Sequence, residues 1–305
     1  MNIGLMLSDA RGVHELAAQA KQAEQDGFAS CWFNHASGAD AMTSAVVAAA
    51  ATTRIELGTG VVPVFLRHPV GMAQQALAVQ SAAGGRFTLG IGLSHQPAVE
   101  NRFGLPWVKP FHYMREYLEV LASLIDTGKA AVSGETFNVH AEVGFKGMAP
   151  CPIILAALGP RMLDLAGAHS AGTMTWVTGP KTLASLTIPK ITEAAARANR
   201  PAPRIVAGLP VAVTDDVAAA RETAERLFVR YGQLPSYRAM LDRESAATAA
   251  DVALVGDEDG VGAQLLHLKE IGVTDFAATI FPVGADHRAS SERTWAVLAQ
   301  LTARL

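Results

Sequence analysis

Short apolar runs of strand length alternate with longer helical patterns from one end of this chain to the other, and that alternation limits the fold more than any other feature. Eight such runs occur: NIGLML (2–7), ASCWFN (29–34), IELGTGVV (55–62), FTLGIGL (87–93), PIILAAL (152–158), GTMTWVT (172–178), RIVAGLPVAV (204–213) and DFAATIF (275–281). Most are continuously apolar rather than alternating, which suits strands buried on both faces of a parallel sheet. Between them the patterns predict helices near 12–26, 40–52, 69–82, 111–127, 160–170, 181–198, 215–231 and 258–271, with a last one near 290–303. Eight strand-then-helix repeats predict an α/β fold, a closed (β/α)8 TIM barrel, rather than an open doubly wound sheet. The chain, 305 residues and 50% hydrophobic, is long enough to bury one large core, so a single barrel domain over 1–305 is expected.

Local chemistry marks several boundaries. Ser8 or Asp9 is expected to cap the first helix, Asp40 the second and Asp215 the seventh; Pro69 and Pro160 suit first-turn positions, and Gly27 and Gly272 stop their helices. The helix at 40–52 is apolar nearly all round, which calls for cover on its outer face and points to a homodimer. Three stretches interrupt the alternation: 94–110, 129–151 with a short hairpin around Ser133 and Gly134, and 232–256. Insertions at the strand C-terminal face are where a barrel shapes its substrate pocket.

The formal charge of -3 leaves no polycationic surface for nucleic acid. Cys31 and Cys151 are too few and too far apart for a disulfide framework or a CxxC metal site, so a reducing cytoplasm is the expected setting. No apolar run reaches the length of a membrane span or signal segment. His68, His112 and His169 have no partner at metal-ligand spacing, and no metal is expected.

The stretch GGRFTLGIGLSHQP (84–97) admits three readings. A serine nucleophile needs G-x-S-x-G, and Gln96 stands where the final glycine belongs. A dinucleotide loop needs G-x-G-x-x-G opening directly into a helix, and GIGLSH lacks the third glycine. The remaining reading is a barrel strand that ends with little side-chain bulk, so that a flat ring can approach backbone at Gly90 and Gly92. Small residues that merely suit barrel packing are the plain alternative.

The ordered set TTRIELGTGVVPVFLRHPVGMAQQALAVQSAAGGRFTLGIGLSH, PIILAALGPRMLDLAGAHSAGTMTWVTGP and GDEDGVGAQLLHLKEIGVTDFAATIFP resembles the luciferase-like monooxygenase superfamily, and within it the coenzyme F-420-dependent oxidoreductases that include the methylenetetrahydromethanopterin-reductase-like members. The resemblance implies a TIM barrel with a deazaflavin or flavin across the strand C-termini. It implies a bulge after the third strand, often with a non-prolyl cis peptide, at Gly60-Val61. Leu93 and Ser94, beyond Gly92, are implied as cofactor or substrate contacts. A phosphate loop is implied after the fifth strand, where Leu158, Gly159, Pro160, Arg161 and Met162 open a helix. Thr178 and Gly179 match a second contact to the same tail. Where relatives often carry Asp-His or Glu-His this chain has Asn34-His35, and His35 becomes the catalytic candidate that gives or takes a proton during hydride transfer. His95 replaces the glutamate of sugar-phosphate-oxidising relatives, so glucose-6-phosphate oxidation is not implied. His95, Trp32 and Trp107, with Tyr113 and Trp176, are candidates for the substrate wall.

The implied function is hydride exchange between coenzyme F-420 and a small organic substrate. Two alternatives remain open: an FMN-dependent monooxygenase of the same superfamily, and a barrel that binds cofactor or ligand without turnover, which the missing acid at Asn34 keeps in play.

Overall fold

A computed structural model describes all residues 1–305. Its eight principal strands are β1 (Asn2–Leu7), β2 (Ser30–Phe33), β3 (Glu56–Thr59), β4 (Phe87–Gly92), β5 (Ile153–Ala156), β6 (Gly172–Trp176), β7 (Arg204–Val213) and β8 (Asp275–Ile280). All pair in parallel, in the order β7, β8, β1, β2, β3, β4, β5, β6, and β6 pairs back onto β7 to close the barrel. Each of the eight runs read from the sequence is one of these strands. The hairpin is present as Lys129–Ser133 against Asn138–Glu142.

The helices are α1 (Val13–Gln25), α2 (Ala41–Ala51), α3 (Pro69–Ala82), α4 (Pro110–Thr127), α5 (Pro160–His169), α6 (Ile188–Arg197, entered through helical turns from Pro180), α7 (Val217–Phe228), α8 (Pro235–Glu244), α9 (Glu258–Glu270) and α10 (His287–Thr302). Asp40 caps α2 through the Thr43 amide as expected, and Pro69 and Pro160 occupy first turns. Gly27 and Gly272 carry positive φ values of 86° and 104°, a conformation only glycine adopts without strain. None of the helices is long and apolar enough to cross a membrane.

Three boundary expectations fail. Gly12, not Ser8 or Asp9, precedes α1, and no side chain caps it; Asp9 is turned toward the loop after β2. The seventh helix is capped by Asp216, whose carboxylate accepts from the Ala219 amide, because Asp215 is engaged by Arg293. Within 232–256 the pattern missed α8 and a short strand, Leu254–Gly256, that extends the sheet beside the long end of β7.

Alternation along the strands sorts residues between the barrel interior and the helix layer. Trp32, Ile154, Met174, Val206 and Ala277 form an interior cluster, with Met6 and Val61 packed against it. The N-terminal end is closed by an ionic floor. Arg204 donates to both Glu56 oxygens at 2.7 and 3.0 Å and to Asp275 Oδ1 at 2.8 Å. Thr88 donates to Glu56 from the next strand at 2.5 Å. Above this floor Trp32, fully buried, fills the middle of the barrel, its indole N–H donating to Ser30 Oγ at 2.9 Å. Only the C-terminal end is left to receive a ligand, as the fold class dictates.

Candidate active site at the barrel mouth

Two glycines decide how open the mouth is. A Cβ at Gly60 would stand 2.7 Å from Met6 Cε and 2.8 Å from its sulfur, and one at Gly92 would stand 2.8 Å from Val61 Cγ2 and 3.2 Å from the Ala156 Cβ. Strands β1, β3, β4 and β5 therefore converge here at distances that admit only glycine at these two positions, because the side chains of Met6, Val61 and Ala156 take up the space. The Gly60-Val61 peptide is cis, at the place where β3 breaks off and the chain rejoins β4 through Val62 and Pro63. The strand ends 60, 92 and 156 thus meet at one opening, and Val61 is the side chain between them.

The far side of the mouth is built from Trp176, Gly208 and Thr279. Register places Trp176 opposite Gly208, and the indole lies close enough that a Cβ at Gly208 would be 3.2 Å from it. The Trp176 indole nitrogen and the Thr279 hydroxyl are both buried without a hydrogen-bond partner. Buried polar atoms are nearly always satisfied, so unpaired donors at the ligand-receiving end suit a polar ligand. Val177, next in the chain, has φ +50°. For a β-branched residue that conformation costs about 1–3 kcal/mol, the kind of strain that gathers at functional sites.

His35 and Asn34 follow β2 at the rim. The Ala41 amide donates to His35 Nδ1 at 3.3 Å, and Asp40 Oδ2 lies 3.8 Å from the same nitrogen. Burial pushes the imidazole below its ordinary pKa, with the attraction of Asp40 opposing. The ring is therefore neutral near pH 7 and, because Nδ1 accepts, its proton resides on Nε2.

The loop that carries this histidine is held by a residue the sequence reading assigned elsewhere. Asp9, only 7% exposed, accepts three successive amides on Oδ2, from Ala36 (2.7 Å), Ser37 (2.7 Å) and Gly38 (2.8 Å), while Asn34 Nδ2 donates to Oδ1 at 3.3 Å. Burial raises the carboxyl pKa and the three amides outweigh it, so the group sits below the usual range. A carboxylate contact to the His35 loop is thus present, supplied by β1 and not by position 34. The capping motif S-D-A-R gave no hint of it, because the partner amides lie 27 to 29 residues away.

At the phosphate loop expected after β5, Gly159 precedes α5 with no capping side chain, and the amides of Leu158, Gly159 and Arg161 donate to no backbone carbonyl. The Met162 amide is used within the turn, donating to Gly159 O at 3.0 Å, and so drops out of the expected set. Pro160 has no N–H to offer. The Arg161 guanidinium lies 4.1 Å above the Phe111 ring. At the second contact, the amides of Thr178 and Gly179 donate to no backbone carbonyl. The amides of Lys181 and Thr182, just beyond, donate to the buried Glu244 carboxylate at 3.3 and 2.5 Å, and a Cβ at Gly179 would lie 2.6 Å from it. A carboxylate from α8 therefore stands beside this turn, which the sequence could not reveal while α8 itself was unread.

The remaining candidates separate. Ser94 turns the chain with φ +64° beside half-buried Leu93. His95 packs 5.4 Å from the Tyr237 ring. Tyr113 stacks on Phe65 at 4.4 Å and Trp107 lies tilted against the same ring at 5.6 Å, in a second aromatic cluster beyond β3. Trp32 lies beneath the mouth with no exposed surface; it supports the site from within and cannot line it. No group of histidine, cysteine and carboxylate side chains is arranged to hold a metal ion.

Comparison with known proteins agrees with this geometry. A luciferase-like monooxygenase family model matches residues 1–275. A 5,10-methylenetetrahydromethanopterin reductase from Methanolobus tindarius is 28% identical over 259 residues, covering 84% of this chain and 78% of that protein. Among solved structures, a coenzyme F-420-dependent tetrahydromethanopterin reductase from Methanopyrus kandleri superposes with a TM-score of 0.82 at 23% identity, covering 98% of this chain and 97% of that one. The oxygenating constituent of 3,6-diketocamphane monooxygenase from Pseudomonas putida, in complex with FMN, superposes at 0.76 with 17% identity over 99% and 96% of the two chains.

Proposed function

The chain belongs to the luciferase-like monooxygenase family, and on that premise we propose that it is an oxidoreductase exchanging hydride between coenzyme F-420 and a small organic acceptor. The observation that carries this reading is the close convergence of Gly60, Val61 and Gly92 at the strand ends, with the uncapped amides at Gly159. A planar ring and an anionic tail are what such a mouth accepts. When bound, the deazaflavin would supply or take up the hydride.

The chain's own residues then have separable tasks. Met6, Val61 and the glycines set the plane on which the ring rests. The Trp176 and Thr279 polar atoms give its edge hydrogen-bonding partners. Leu158, Gly159 and Arg161 hold the tail phosphate. His35 Nε2–H, on a ring that is neutral, donates a hydrogen bond that polarises the acceptor, whose proton comes from solvent once hydride has added, and Asp9 holds the loop in place. The barrel is proposed to act as one domain, in a reducing compartment that keeps Cys31 and Cys151 as thiols, and as a homodimer through the outer face of α2, where Val46 is exposed.

The FMN-dependent reading is favoured by one observation, the near-equal likeness to a monooxygenase holding FMN. Fluorescence titration of the purified protein with coenzyme F-420 and with FMN separates the two. Preferential saturation by F-420 supports the proposal, and preferential saturation by FMN replaces it with the monooxygenase. Tight F-420 binding with no hydride exchange across a broad acceptor screen would make the barrel a binder only.

A further inference from the structure

The stretch from Phe228, the last residue of α7, to Tyr237 in the first turn of α8 lays a continuous aromatic wall across one side of the mouth. Trp176 at the end of β6 is 5.9 Å from Phe228 and 5.7 Å from Tyr231; Tyr231 is 5.1 Å from Tyr237; and Tyr237 is 5.4 Å from His95 at the end of β4. On this wall sits a cation. Arg230 donates from Nη2 to the Tyr231 hydroxyl at 2.8 Å, and its guanidinium carbon lies 4.9 Å from the Tyr231 ring centroid. It is exposed and makes no ion pair.

Its position follows from Tyr231, whose ring packs edge-on against Trp176 at the end of β6 and against Tyr237. The Asp9 carboxylate keeps its charge but spends its hydrogen bonds on three amides and Asn34, and it forms no ion pair with Arg230. His95 is neutral, its pKa lowered by burial and then by Arg230 itself. One guanidinium edge is tied to Tyr231, which leaves the other edge, with two N–H vectors, free for a bidentate acceptor.

We propose that Arg230 and the half-buried Tyr231 and Trp176 rings recognise a carboxylate carried on a flat, conjugated substrate. This rests on the hydride-transfer reading and names its substrate class. The guanidinium fork matches carboxylate geometry, and the aromatic face stacks the conjugated plane beside the place where the cofactor ring would lie. A carboxylate on the acidic tail of the cofactor is the other source of the same chemistry, and the test separates the two.

Trans-cinnamate and its neutral isostere cinnamamide are titrated into cofactor-free protein by calorimetry and tryptophan fluorescence, in the wild type, Arg230→Gln, Arg230→Lys and Arg161→Gln. The wild type is expected to prefer cinnamate by about tenfold or more, the scale of one charge-assisted bidentate contact. Arg230→Gln removes the preference, Arg230→Lys keeps part of it, and Arg161→Gln keeps it whole. Equal affinity of the two probes, binding of neither, or a preference unchanged in Arg230→Gln overturns the proposal. So does a tenfold or greater loss of F-420 affinity in Arg230→Gln, which would assign the cation to the cofactor tail. Because the probes are read without cofactor, failure here and failure of the F-420 titration are separate results.

Discussion

Replacing Asp9 by alanine tests how the rim of the site is held. The substitution leaves the amides of Ala36, Ser37 and Gly38 without their acceptor and frees the Asn34 side chain. Hydrogen bonds to a charged acceptor contribute about 1.5–3 kcal/mol each. Ser37 and Gly38 are exposed and can turn to water, whereas Ala36 is half-buried, so the net loss is about 2–4 kcal/mol rather than the full sum. Most of it falls on the local order of the 34–40 loop. Hydrogen exchange of a peptide spanning 34–40 should speed up by a factor on the order of 30 to 1,000, the range those energies imply. Displacement of His35 by about 1 Å is enough to lower turnover about a hundredfold. The sign with pH follows from the depressed carboxyl pKa. The stabilisation is fully present above the unfolded carboxyl value and disappears as pH falls through the folded one, so the gap between wild type and variant closes on acidification below about pH 4. Unchanged exchange across 34–40, or a gap in Tm that persists undiminished at low pH, would refute the assignment of Asp9 to this loop.

Three further outcomes are expected. His35→Ala should reduce turnover by about 10²–10³ while leaving cofactor affinity within about threefold; an equal loss of both would remove the histidine from the reacting site. Arg204→Met should cost about 3–5 kcal/mol, lowering Tm by something on the order of 10 °C, because it strands the buried Asp275 and half-buried Glu56 carboxylates beneath the site. A melting curve matching wild type would contradict the ionic floor. Val46→Asp on the outer face of α2 should convert the protein to a monomer in light scattering, and an unchanged mass would place any dimer contact elsewhere.

The architecture was legible because it follows from local pattern. Buried parallel strands need continuous apolar runs, and the eight runs together with Pro69, Pro160, Gly27 and Gly272 mark their boundaries whatever lies across the barrel. The glycines of the mouth were legible for a similar reason, since a missing side chain is visible in the sequence itself. Trp32 was misplaced because periodicity says that a residue points inward without saying at what depth, and register with Gly58 and Arg204 puts it in the middle of the barrel.

What tertiary structure alone decided is the pairing of groups distant in the chain. Asp9 reads as a helix cap by sequence and serves as an anchor for the His35 loop in space. Glu244, on a helix that the pattern did not show, accepts from the amides just beyond Gly179, and Arg230 comes to the mouth just past the end of α7, where the pattern read one continuous helix to 231. Hydrogen bonds and charges act over a few ångströms irrespective of sequence separation, so a one-dimensional pattern locates the strands that carry a site but not the side chains that meet there.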